Sequence, residues 1–388
     1  MKKIAHFFLG ANSAQGFYSL YDQLLSARFD DLLIIKGGPG CGKSSFMRQV
    51  STELAAAGYT PAYIHCSGDP DSLDGAIFPK LRIAMADGTA PHVLEPTYTV
   101  ACERYLDLTR FYDVEGTKKK RAELIALTDA YRAHYRDAYH ILRAAGELET
   151  ERRARIHAHM DFVRLEHRME GILARELKSK AAHAGSVFYA FLGGTTNAGE
   201  LCRFDTVEAL CPRVYEFCDS AGLGNGALHR ICGAAAAGGE QVIACPDPDR
   251  PEELQHVLLP QRGLAFITSN ERIPYRGEAY RRIRLDAMAD SGFSRAEKAK
   301  LRFMRRIGRE LREEAVEKLK EAKKAHDALE KLYNPFVDFD GVYDLAHSEA
   351  QRLLNRAQDS AGHQGIKQGQ DSFRCPARFS FTFIKDKK

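Results

Sequence analysis

Gly37-Gly-Pro-Gly-Cys-Gly-Lys-Ser44 stands between an apolar run, Asp31-Leu-Leu-Ile-Ile-Lys36, and an amphipathic stretch, Ser45-Phe-Met-Arg-Gln-Val-Ser-Thr-Glu-Leu-Ala-Ala-Ala57. The eight residues fit G-x-x-x-x-G-K-[ST], and the flanks read as a buried strand and a helix, the order that such a loop requires. Glycines let successive backbone N–H groups converge on an anion at a helix N-terminus that already carries partial positive charge. Gly37, Gly38, Pro39, Gly40, Cys41, Gly42, Lys43, Ser44 and Ser45 are therefore the expected phosphate contacts. Lys43 is placed to reach β- and γ-phosphates, and the Ser44 hydroxyl to ligate Mg²⁺.

Two strands further on, Ile83-Ala-Met-Ala-Asp87 is an apolar strand ending in a carboxylate, the form of a second Mg²⁺-binding element opposite Ser44. The residue after Asp87 is Gly88, where many ATPases carry a glutamate. A base must then come from elsewhere, or turnover is slow. Asp69, Asp71 and Asp74, just past the second strand, are carboxylates able to face a γ-phosphate, with Asp69 assigned a catalytic role; turn and capping roles suit the same residues. Thr89 and His92 follow as weaker phosphate-sensing candidates.

The chain also repeats itself. Phe8-Leu-Gly-Ala-Asn-Ser-Ala-Gln-Gly16 is echoed by Phe191-Leu-Gly-Gly-Thr-Thr-Asn-Ala-Gly199, Gly40 by Gly222, and Tyr63-Ile-His-Cys-Ser-Gly-Asp-Pro70 by Val242-Ile-Ala-Cys-Pro-Asp-Pro248. Recurrence in the same order at similar spacing indicates duplication. It divides the chain into lobe 1–183, lobe 184–357 and a tail 358–388. In the second copy Asn225 stands for Lys43, Gly226 for Ser44 and Thr268 for Asp87, so that site reads as degenerate, although a glycine turn without the lysine can still bind an anion.

With 388 residues, 44% of them hydrophobic, and a net charge of +4, the chain suits a globular protein of two or three domains, and its charge does not by itself imply nucleic acid. Nine dispersed cysteines without a C-x-x-C pair suit a reducing compartment. No run approaches the roughly 20 apolar residues of a membrane helix, so a cytoplasmic protein without a membrane partner is expected.

A β-α-β-α-β run is predicted, with strands 31–36, 61–66 and 81–87, helix 43–57 and a short helix near 71–78. Helix-rich stretches follow at 118–180 and 294–332, the second opened by a Ser294/Glu297 capping box. Arg302, Arg305, Arg306 and Arg309 fall on one helical face, read as solvated and interleaved with Glu310, Glu313 and Glu314. Asp359–Asp371 reads as linker, and Phe379, Phe381 and Phe383 as strand-like alternation.

Phe8–Phe17, Lys36–Ser44, His65–Asp74, Asp87-Gly-Thr-Ala-Pro-His92 and His326-Asp-Ala-Leu-Glu-Lys-Leu-Tyr-Asn-Pro335 together resemble a bacterial family of tandem-duplicated P-loop ATPases, over about residues 4–357. The resemblance implies ATP binding through Gly37, Gly42, Lys43, Ser44 and Asp87, and supplies no substrate. The chain departs from it where the second phosphate loop is not intact. The expected fold is α/β: a P-loop NTPase three-layer sandwich with a mostly parallel sheet, duplicated, each lobe carrying a helical-hairpin extension. The expected ligands are ATP and Mg²⁺, and the expected activity is ATP hydrolysis. A kinase acting on a small molecule or nucleotide, and a nucleotide-regulated binding protein, are the alternatives. A protein partner or homo-oligomer, and nucleic acid on the basic helices, stay open.

Overall fold

The structure is a computed structural model and describes residues 4–25, 28–177, 183–289 and 292–363. Its first half runs β1 (Ala5–Phe8), the hairpin β2 (Gly10–Ser13) and β3 (Gly16–Ser19), β4 (Asp31–Lys36), α1 (Lys43–Ala56), β5 (Ala62–His65), β6 (Leu73–Phe78), β7 (Ile83–Asp87), β8 (Glu103–Asp107), α2 (Val114–Lys119), α3 (Arg121–His157) and α4 (Phe162–Glu176). The second half runs β9 (Val187–Tyr189), β10 (Gly193–Thr196), β11 (Gly199–Cys202), α5 (Phe204–Leu210), β12 (Arg213–Cys218), α6 (Asn225–Ala237), β13 (Val242–Asp247), β14 (Arg250–Leu259), β15 (Leu264–Ser269), β16 (Arg281–Arg284), α7 (Asp286–Ala289), α8 (Arg295–Tyr333) and α9 (Phe339–His363).

The two sheets have corresponding strand orders, β1-β5-β6-β7-β4-β8 and β9-β13-β14-β15-β12-β16. Both are mostly parallel. In each, one strand (β6 or β14) runs antiparallel to both neighbours. The short helix expected near 71–78 is therefore a correction: Leu73–Phe78 is β6, with all six residues buried. Pairing on both edges satisfies its backbone, and tertiary partners override a weak local preference.

Residues matched in the repeat meet at the centre. Phe8 N–H donates to Phe191 O and Phe191 N–H to Phe8 O, both at 2.9 Å. Around this reciprocal pair the Thr206 hydroxyl bonds the backbone of His6, and Gln23 bonds the backbone of Tyr189. The halves are thus related by an approximate twofold.

Along β4, Leu33 and Ile35 face one core, while Leu32 and Ile34 face another. The first core contains α1. The second is shared with the second sheet, through Val214, Ala265 and Ile267. The expected helices on both faces of each sheet are a second correction: the long helices cover one face only, and the opposite faces of the two sheets share a core. A strand apolar on both sides does not reveal whether a face meets a helix or another sheet.

The covering helices are exchanged. Leu165, Met169 and Ile172 of α4 pack with Leu228 and Ile231 of α6 on the second sheet. Val342, Ala346, Ala350 and Leu353 of α9 pack with Phe46, Met47 and Val50 of α1 on the first. The long helices α3 (37 residues) and α8 (39 residues) do not project separately, as expected, but pair antiparallel. His134 meets Glu321 at 3.2 Å, and His159 meets Glu297 at 3.5 Å. At 1.5 Å per residue each spans roughly 55 Å. The Ser294/Glu297 capping box starts α8, as expected. Helix α9 continues through His363, so Asp359–His363 is helical rather than linker. The rest of that linker and Phe379, Phe381 and Phe383 lie outside the described residues. Among the described residues no helix is long and apolar enough to cross a membrane.

Two core histidines make the fold sensitive to acid. Burial holds His256 down to about 3, and its Nδ1 accepts Thr268 N–H at 3.2 Å. Burial, with Arg203 adding to it, holds His65 down to about 4. Each binds fewer protons folded than unfolded, so its contribution is present above pH 6.5 and is lost as pH falls toward those values. Melting temperature should fall between pH 7 and pH 5, and His256→Gln should flatten that slope; parallel profiles for the two proteins would refute the assignment.

Candidate functional site

β4 delivers Gly37–Gly42 at its carboxyl end, and α1 begins at Lys43. Helix α1 forms because Phe46, Met47, Val50 and Leu54 recur at helical spacing on one buried face. Gly40 (φ 70°) and Gly42 (φ 83°) are left-handed, a conformation that glycine adopts without penalty. A Cβ on Gly40 would also meet the backbone of Glu330 at 3.2 Å. Pro39 O accepts the Tyr112 hydroxyl at 2.8 Å, and the Asn334 amide donates to Gly40 O at 3.2 Å. The tip of the loop is therefore held by the end of α8, an element of the second half.

Among the described residues, the N–H groups of Gly38, Gly40, Cys41 and Gly42 donate to no protein acceptor. Lys43 Nζ donates to Gly37 O (2.8 Å) and Gly38 O (2.9 Å) and lies 3.7 Å from Asp87 Oδ2. Asp87 ends β7, beside β4, and its Oδ1 accepts the N–H and hydroxyl of Thr89. Ser44 Oγ accepts Leu73 N–H at 3.0 Å, which ties the start of β6 to the loop. The Cys41 side chain is buried in the core around α1, where burial raises its thiol. Ser45 is exposed on the first turn of α1. The structure thus brings Gly37–Ser44 and Asp87 together.

The Asp69 carboxylate faces Lys323 of α8 at 3.4 Å. Asp74 is buried, accepting from His92 Nε2 (3.1 Å) and the Tyr21 hydroxyl (3.3 Å). Burial lowers His92, but the Asp74 charge outweighs it and holds the imidazole above its ordinary value; Asp87 and Lys43 also act on it. The sequence offers Asp74 and His92 as separate candidates, and their pairing is a property of the fold. Arg305, Arg306 and Arg309 are exposed and paired with Glu271, Glu310 and Glu313.

The second loop, after β12, has a different content. Asp219 occupies the position of Gly37, and its carboxylate folds back into the turn. Oδ1 accepts Ala221 N–H and Leu223 N–H at 3.0 Å each, and Oδ2 accepts Gly224 N–H at 2.8 Å. Gly222 keeps the left-handed conformation of Gly40 (φ 68°). The second cradle is filled by an anion of its own chain. The signal was in the sequence, as an acidic residue where the first loop has a glycine. The end of α3 presses on this loop as α8 presses on the first. His157 Nε2 lies 2.9 Å from Ala221 O, and Arg153 binds Asp247 (3.0 Å), Glu253 (2.6 Å) and Glu149 (3.1 Å).

Compared with protein-family models, curated proteins and solved structures, the chain matches none.

Proposed function

We propose that the chain is a P-loop NTPase whose first loop binds ATP with Mg²⁺ and hydrolyses it, and whose second loop is catalytically silent. The observation that carries this is the contrast between two loops after equivalent strands: one with N–H groups that have no protein acceptor around an ammonium, one with its donors taken by Asp219. Four loop amides without a protein acceptor, next to Lys43, fit a polyphosphate. The hydroxyl of Ser44 and the carboxylate of Asp87 are hard oxygen ligands of the kind that Mg²⁺ takes.

Mg²⁺, when bound, would neutralise charge on the phosphate oxygens. Lys43 would leave Gly37 O and Gly38 O for the phosphates, Asp87 would keep the ammonium oriented, and the loop amides would fix the chain of phosphates. Gly88 follows Asp87, Asp69 faces Lys323, and Asp74 is held by His92 and Tyr21, so turnover is expected to be slow.

Lys43→Ala tests the reading. MgATP affinity should fall about a hundredfold and phosphate release should stop, measured by fluorescence titration and a phosphate assay. Unchanged affinity and turnover would reject it. Product analysis with metabolite pools separates hydrolysis from phosphoryl transfer.

A further inference from the structure

Beside the loop, on the side of β8, lies an open cleft of about 530 Å³. Its lining joins Gly38 of the loop to Tyr112 after β8, Lys118 of α2, Leu124 and Ile125 of α3 and Tyr333 of α8. The volume is within the roughly 300–1,000 Å³ of small-molecule sites. The chemistry is mixed in an ordered way. Leu124 and Ile125 supply an apolar wall, and Ile125 is half-exposed although large and apolar. Tyr112 and Tyr333 meet edge-to-face with ring centroids 5.5 Å apart, leaving aromatic surface toward the cleft. Lys118, paired with Glu115 at 2.8 Å, and Arg121 add cations at the α2 side.

We propose that this cleft holds the nucleoside of the triphosphate, its base against Tyr333 and Ile125 and its ribose toward Gly38. The proposal rests on the phosphate-loop reading and deepens it. Continuity carries it: Gly38 belongs at once to the anion loop and to the cleft wall, so a ligand whose phosphates lie in the loop has its remaining bulk at this opening. A base is flat and apolar on its faces, as the walls require, and stacking tolerates any base because every base has a π-face. Asp, Glu, Asn and Gln do not occur among the lining residues, and the Glu115 carboxylate beside Lys118 is taken by that ammonium, so the lining side chains offer no carboxylate for the guanine edge. ATP and GTP should therefore bind within about tenfold of each other. Tyr333 ends α8, so the bound nucleotide touches both halves of the chain.

The test uses the full-length protein and two probes, MgATP and Mg-tripolyphosphate. Tyr333→Ala and Ile125→Glu should each weaken MgATP roughly tenfold to a hundredfold, with tripolyphosphate changed by less than about twofold for Tyr333→Ala. Lys43→Ala should weaken both probes. Ile125 is exposed enough that its variant should fold, and melting temperatures check both proteins. If both cleft variants bind MgATP as wild type does while Lys43→Ala does not, the cleft assignment is overturned and the loop reading survives. If Lys43→Ala binds both probes normally, the loop reading fails. Equal loss of both probes in Tyr333→Ala would also overturn the cleft assignment, because the ring would then be supporting the loop instead of the base.

Discussion

Asp219→Ala lowers the stability of the protein by roughly 3–6 kcal/mol, because three backbone amides lose their acceptor in a place closed to water. Asp219 is 4% exposed. Each orphaned donor costs about 1–3 kcal/mol, against a total stability of about 5–15 kcal/mol for a typical domain. The midpoint of urea unfolding should drop accordingly. A variant with wild-type stability would show that the carboxylate is not what fills the turn.

Arg153→Met is the second large effect, about 3–5 kcal/mol of destabilisation. The guanidinium is 12% exposed and bridges carboxylates from three elements: Glu149 of α3, Asp247 of β13 and Glu253 of β14. Its removal leaves Asp247 and Glu253 without this countercharge, while Glu149 keeps Arg152 at 2.8 Å, and a buried charge without a partner costs far more than the intact pair contributes. The sign of the pH response separates this from simple loss of packing. In the variant Glu253, whose value burial already raises, loses the charge that opposes that rise and is driven further to bind a proton in the folded state. Stability relative to wild type should then recover as pH falls from 7 toward 5. Glu253 already shows the direction, raised by its burial even beside Arg153. A deficit that stays constant over that range would mean that Arg153 acts through shape alone.

Much of the first loop and of the repeat is legible in the sequence. The strand Asp31–Lys36, the glycine loop and the helix after it are local in sequence, and each carries its own signal, so they were legible as a unit. The repeat was legible because both copies kept the Phe-Leu-Gly entry and the glycine at 40 and 222. What escaped depended on partners distant along the chain. Leu73–Phe78 follows an Asp-Pro turn that suits a helix start, and becomes a strand because β5 and β7 flank it. The shared core between the sheets was hidden because Leu32–Ile35 are apolar on both faces. Asp69 is drawn to Lys323 across the halves, a pairing that no spacing near Asp69 announces. The carboxylate at 219 was visible as a letter, but its inward turn is a property of the folded loop.

The crossed placement of α4 and α9 limits how the chain can be divided. Cut near residue 183, each fragment would carry a helix shaped for the other and a β-surface with its greasy side bare. Neither piece would be a finished object alone, whereas the two mixed together have every surface they need to reassemble.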